Sequence, residues 1–142
     1  MDDVLVGSLM SAPVRTVTAD ERVRTAAETM IGHGISSVVV VDGDNQPEGI
    51  LTSTDYVQIA ADDAAAGETA VRAYMTTDLI TTTANERVAD VAQTMMSRGV
   101  HHVPVVDDST GVVGMITTKD FAAYLSEARA PSAPGPAGRN GE

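Results

Sequence analysis

The chain repeats itself. Residues 10–56 align with residues 75–121 at a constant offset of 65 and without a gap, and 18 of the 47 aligned positions are identical. Unrelated sequences of ordinary composition would share roughly 3. The identities fall in blocks: Thr18-Ala19-x-Glu21-Arg22-Val23 against Thr83-Ala84-x-Glu86-Arg87-Val88, Val40-Val41-Asp42 against Val105-Val106-Asp107, and Gly49-x-x-Thr52-x-x-Asp55 against Gly114-x-x-Thr117-x-x-Asp120. A unit this short buries too little apolar surface by itself. The duplication therefore predicts two half-domains packed against each other about a pseudo-two-fold axis, with equivalent clefts between them.

Each copy carries the same order of local signals. A methionine, Met10 or Met75, precedes a short extended stretch at 14–18 or 79–83. Thr18 then stands three residues before Glu21, and Thr83 three before Glu86, the spacing of a helix capping box. Val23, Ala26, Ala27, Met30 and Ile31 share one helical face, as do Val88, Val91, Ala92, Met95 and Met96, and Gly34 and Gly99 suit the helix ends. The apolar runs 38–41 and 103–106 suit strands covered on both faces, although Pro104 predicts an edge or an irregularity in the second. Turn residues follow, then a second strand that leads directly into a helix at Thr52 or Thr117. The unit is β-α-β-β-α and the fold class mixed α/β. Residues 1–61 form repeat 1, 62–69 a small acidic linker, 70–129 repeat 2, and 130–142 a Pro/Gly-rich tail expected to be disordered.

Composition narrows the function. The 142 residues suit one compact module. The chain has no cysteine, which excludes disulfides, thiol catalysis and thiolate metal sites. A formal net charge of −11 argues against a nucleic-acid partner, because phosphate contacts need clustered Lys and Arg. No apolar run is long enough for a membrane span and no signal pattern opens the chain, so the expected location is cytoplasmic. Many acids, eight arginines and a single lysine, Lys119, resemble the composition of proteins from salt-loving microbes, in which salt would screen the self-repulsion. The sequence contains no Walker loop, no serine nucleophile with its base and no paired-carboxylate hydrolase motif.

The methionine-led first strand, the Val-Val-Asp turn and the doubled Gly-x-x-Thr-x-x-Asp-(Tyr/Phe) resemble the cystathionine-β-synthase (CBS) domain, which occurs in tandem as a Bateman module. The resemblance spans residues 4–126 and implies two CBS repeats forming one pseudo-two-fold module with a regulatory rather than catalytic role. It implies an adenosine-containing ligand (AMP, ADP, ATP or S-adenosylmethionine) held between the repeats as a regulatory ligand, with no required cofactor. It also implies a homodimer and an effector protein on another chain. Carried over residue by residue, it nominates Asp55 and Asp120 for the ribose hydroxyls. Thr52, Thr54, Thr117 and Lys119 fall on the phosphate side, together with His101 and His102. Thr16, Val38, Thr81, Val103 and Pro104 fall around the base.

The residues themselves permit plainer readings. Thr52-x-x-Asp55 and Thr117-x-x-Asp120 also fit helix caps, while a carboxylate can equally accept two hydrogen bonds from a vicinal diol and a helix N-terminus can seat a phosphate. Lys119 stands where the first repeat has Thr54, and His101-His102 where it has Ser36-Ser37, so the cationic groups gather in the second copy. The cleft using Asp120 is therefore expected to prefer a phosphorylated ligand, and the Asp55 cleft to hold a weaker or less charged one or to stay empty. Adjacent strand residues face opposite ways, so one histidine at most should face a given cleft. Without thiolate or carboxylate partners they make a poor metal site. The rival reading is a protein-interaction scaffold whose clefts bind no ligand.

Overall fold

The computed structural model describes residues 4–62 and 67–129. The expectations for linker residues 63–66 and for the tail, 130–142, lie outside them. The elements are α1 (Val6–Leu9), β1 (Thr16–Thr18), α2 (Val23–His33), β2 (Ser37–Val41), β3 (Pro47–Thr52), α3 (Ser53–Ala61), a 3-10 turn at Val71–Ala73, α4 (Val88–Arg98), β4 (His102–Asp107), β5 (Gly111–Thr117) and α5 (Thr118–Arg129). The mixed α/β architecture of two repeats is the one that forms. In the first repeat, β2 lies between parallel β1 and antiparallel β3. In the second, β4 pairs antiparallel with β5, and the counterpart of β1 shrinks to a single parallel bridge between Thr82 and Val105.

Pro104 explains the difference. The Val39 N–H of β2 donates to the Arg15 carbonyl at 3.3 Å. Its counterpart, Pro104, has no N–H to offer Ile80, and that rung is lost. The bonds on either side of Thr82 survive, from Thr82 N–H to the Pro104 carbonyl (3.0 Å) and from Val106 N–H to the Thr82 carbonyl (2.8 Å).

The four valines of β2 are covered on both faces. Val38 and Val40 pack with Val23, Ala26 and Met30 of α2, while Val39 and Val41 pack with Ile50, Val112 and Met115 in the seam between repeats. Near the axis, the Asn45 side-chain amide donates to the carbonyl of Thr110, its own repeat mate, at 2.8 Å. Gly34 and Gly99 end their helices in the left-handed region, at φ 62° and 67°. The following N–H groups of Ile35 and Val100 return to the Met30 and Met95 carbonyls.

Two local expectations are corrected. Ile31 and Met96 do not share the buried helix face: they are 81% and 85% exposed. The helices meet their sheets along Val23, Ala26 and Met30 or Val88, Val91 and Met95, and residues 31 and 96 lie roughly 100° further round. Nor do the Thr-x-x-Glu motifs cap helices. Glu21 accepts the Thr18 N–H at 2.9 Å within the turn before α2, and Glu86 accepts the hydroxyl of buried Thr82. Both helices begin after an extended arginine with no side-chain cap.

Their first donors are satisfied from the other repeat's lead-in. Val23 N–H donates to the Thr69 carbonyl at 2.8 Å, and Val88 N–H to the Val4 carbonyl at 2.9 Å. The same segments return bonds from Val71 N–H to Glu21 (2.7 Å) and from Val6 N–H to Glu86 (2.9 Å). Val71 is fully buried in the first repeat's core and Val6 in the second's. Each repeat thus lends the segment before its first strand to its neighbour.

The crossing requires close backbone approach at two glycines. A Cβ on Gly49 would lie 2.8 Å from Met75 Sδ and 2.9 Å from the Thr76 carbonyl oxygen, and one on Gly114 would lie 2.7 Å from Met10 Sδ. Gly49→Ala is expected to destabilise the protein by about 1–3 kcal/mol through overpacking, measured by urea unfolding. Gly43→Ala, where nothing lies within 4 Å, should shift stability by less than about 0.5 kcal/mol.

Candidate functional site

In each repeat a strand ends on a threonine and the next residue begins a helix, so the Thr-x-x-Asp motif sits on a helix N-terminus. Asp55 Oδ2 accepts the Thr52 N–H at 2.7 Å and its hydroxyl at 3.2 Å. Asp120 Oδ2 accepts the Thr117 N–H at 2.9 Å and its hydroxyl at 3.3 Å. These bonds satisfy donors that the strand-to-helix junction would otherwise leave open. Both aspartates are half-buried, and one carboxylate oxygen of each lies outside the cap.

The helix starts are also tied to the residues that open the middle strands. Ser53 N–H donates to the Ser36 carbonyl at 2.9 Å, and Thr118 N–H to the His101 carbonyl at 3.2 Å. His102 pairs with Thr117 across β4 and β5. His101 is exposed and His102 half-buried, the difference that strand alternation predicts. Burial pulls the His102 pKa below its ordinary value and neighbouring His101 lowers it further, while the carboxylate of Asp55 opposes both. His102 of the second repeat therefore lies within the field of the first repeat's aspartate.

The other nominated residues divide by access. Thr52 and Thr117 are half-buried; Thr16, Thr54, Thr81 and Lys119 are exposed. Val38, Val103 and Pro104 are fully buried, with both valines inside the repeat cores. One contact of a nominated residue was not anticipated: the Ser11 hydroxyl donates to Asp120 Oδ1 at 3.1 Å across 109 positions of chain. A hydroxyl directly after the leading methionine in both copies, Ser11 and Thr76, was the available signal.

A concavity of about 800 Å³ lies elsewhere. It opens at the other end of the first sheet, beside Thr18, Asp42, Glu48 and Arg72, and none of the nominated residues lines it. Arg72 is held there by Asp20. A second space of about 20 Å³ touches Thr81 and Val103 and has room for about one water. The carboxylates at the helix starts carry the better chemical case, because their geometry recurs in both repeats. Among the described residues no cluster of His, Asp and Glu is placed to hold a metal, and no helix is long and apolar enough to cross a membrane.

Comparison with known proteins gives concordant results. The family model described as "CBS domain" matches residues 6–62 and 71–127. A solved CBS domain pair, that of protein MJ0100 in complex with 5'-methylthioadenosine and S-adenosyl-L-methionine, superposes with a TM-score of 0.81 at 30% identity, covering 89% of this chain and 98% of that one. An uncharacterised 17.7 kDa protein of Acidianus ambivalens is 28% identical over 84% of this chain and 72% of its own length. The homoserine O-acetyltransferase of Methanocorpusculum labreanum is 34% identical over 86% of this chain but only 24% of its own length. The chain spans 62% of a further relative, protein MK0525 of Methanopyrus kandleri, at 31% identity over 85% of this chain.

The placement of His102 has a measurable consequence. With its folded-state pKa below 6.5, the unfolded chain holds the extra proton in the interval between the two values. The contribution of His102 to stability is therefore intact above about pH 7 and declines as pH falls through about 6.5 towards the folded-state value. His102→Gln is expected to flatten the stability–pH slope in that interval, read by urea unfolding at stepped pH. An unchanged slope would show that His102 is not the titrating group.

Proposed function

The chain belongs to the CBS domain family, as a tandem pair, and from that membership we propose that it is a non-catalytic sensor for an adenosine-containing ligand. The carrying observation is the doubled carboxylate: Asp55 and Asp120, half-buried at equivalent helix starts, each with one oxygen outside the cap. In this reading that oxygen accepts the ribose hydroxyls. The helix start, with Thr52 and Thr54 or Thr117 and Lys119, receives whatever extends from the 5' carbon, and His101 and His102 offer ring N–H donors on the same side. Val38, Val103 and Pro104 support the strand beneath the base from within the cores, with Thr16 and Thr81 at the rim. S-adenosylmethionine and 5'-methylthioadenosine lead the candidates because the MJ0100 pair was solved with both; AMP, ADP and ATP share the same nucleoside. The signal passes, in the cytoplasm, to an effector on another chain through a difference in affinity between two states.

A ligand panel followed by thermal or chemical unfolding tests this reading. A bound ligand at 100 times its dissociation constant should add about 2.7 kcal/mol of stability. Asp55→Asn and Asp120→Asn, which keep an acceptor for the cap, should each abolish the response of one site. The absence of any response to all five ligands would favour the scaffold reading, which gains from the capping duty both aspartates already perform.

We also infer a homodimer. Ile31 and Met96 occupy equivalent positions on α2 and α4 and expose 81% and 85% of their surface. A second copy would cover both through one symmetric interface. Ile31→Glu combined with Met96→Glu is expected to yield a folded monomer by light scattering. An unchanged mass would place any dimer contact elsewhere.

A further inference from the structure

The two aspartates are not in the same state. Asp55 Oδ2 holds its cap, and Oδ1 has no hydrogen-bond partner among the described residues. Asp120 has both oxygens engaged: Oδ2 by Thr117 and Oδ1 by the Ser11 hydroxyl at 3.1 Å. The backbone around this contact is symmetric. Ser11 exchanges two backbone bonds with Met115 (2.8 and 3.0 Å), and Thr76 exchanges two with Ile50 (2.9 and 3.0 Å). Only the side chains differ, because the Thr76 hydroxyl makes no corresponding bond to Asp55 among the described residues.

Ser11 is also the last residue of the crossing lead-in. Met10 N–H returns to the Val6 carbonyl at 2.8 Å, Val6 is bonded to Glu86, and the Val4 carbonyl accepts the first N–H of α4. The segment 4–11 thus runs from the Asp120 carboxylate to the start of the second repeat's long helix.

We propose that Ser11 is a positioning residue that latches Asp120 and sets the order in which the two sites fill. The inference rests on the adenosyl-ligand reading above. A diol that gives both hydroxyls to Asp120 Oδ1 needs both of that oxygen's acceptor positions and displaces the Ser11 hydroxyl, so the second site binds a phosphate-free adenosyl ligand more weakly, and the open Asp55 site fills first. For such ligands this reverses the order suggested by the placement of Lys119. Displacement removes the side-chain tie at the end of segment 4–11 and leaves its two backbone bonds to Met115, and that loosening carries the occupancy of the second site towards the helix start.

The test uses the full chain, with 5'-methylthioadenosine as probe. Without ligand, Ser11→Ala should speed amide hydrogen exchange in residues 5–11 several-fold, Ser11→Thr should restore the wild-type rate, and Thr76→Ala should leave residues 70–76 unchanged. With ligand, titration calorimetry should resolve two affinities, and Ser11→Ala should tighten the weaker by about ten-fold or more, the range expected for one competing hydrogen bond to a charged acceptor. Ligand should also speed exchange in residues 5–11 of the wild-type protein but not of Ser11→Ala. Two-site binding that ignores Ser11→Ala overturns the latch and leaves the sensor reading standing. No binding to either protein overturns the sensor reading, and the coupling with it. Unchanged exchange in ligand-free Ser11→Ala overturns the latch whatever the ligand does.

Discussion

The reciprocal crossing of the two lead-in segments is the interaction on which the rest of the structure depends. Neither long helix begins with a side-chain cap, so the N–H groups of Val23 and Val88 would be open donors at the edge of an apolar core. The carbonyls of Thr69 and Val4 close them, at 2.8 and 2.9 Å. An unmet donor in such a place costs on the order of 1–3 kcal/mol. The same segments insert Val71 and Val6, both fully buried, into the opposite repeat's core. Neither repeat is complete without the other's chain, which makes the pair, rather than the repeat, the unit that folds.

The seam follows from this exchange. Once the lead-ins cross, β3 and β5 are brought against the strand-like stretches at Thr76 and Ser11, and Gly49 and Gly114 admit the methionines that precede them. Val39, Val41 and Ile50 then meet Val112 and Met115 across the axis. The two aspartates lie beside this seam, and groups of the other repeat or of the distant lead-in approach them. His102 feels the carboxylate of Asp55, and Ser11 reaches Asp120.

The aspartates show how one residue can read as both structure and site. Capping and diol recognition call on the same property, an ionised carboxylate at a helix N-terminus, and the first uses only one of its oxygens. The geometry shows the capping role and leaves Oδ1 of Asp55 available for the proposed one. What distinguishes the sites is a hydroxyl from a distant part of the chain.

Much of this was legible in the residues. The offset of 65 specified two equivalent units; helical spacing located α2 and α4; the valine run identified a strand covered on both faces; Gly34 and Gly99 marked helix ends; and Pro104 marked the weakened edge. These are short-range signals, in which periodicity and backbone chemistry act within a few residues. The Thr-x-x-Glu spacing misled for the same reason, because a local pattern does not reveal that a carbonyl from the other repeat has already closed the helix. Which side of an apolar helix meets a sheet, leaving Ile31 and Met96 outside, is set by packing between elements, as is the meeting of Ser11 with Asp120 across 109 positions. The sequence alone determined the two units and their elements; the tertiary structure decided which unit completes which, because contacts between distant segments depend on how whole surfaces fit and not on the residues nearby in the chain.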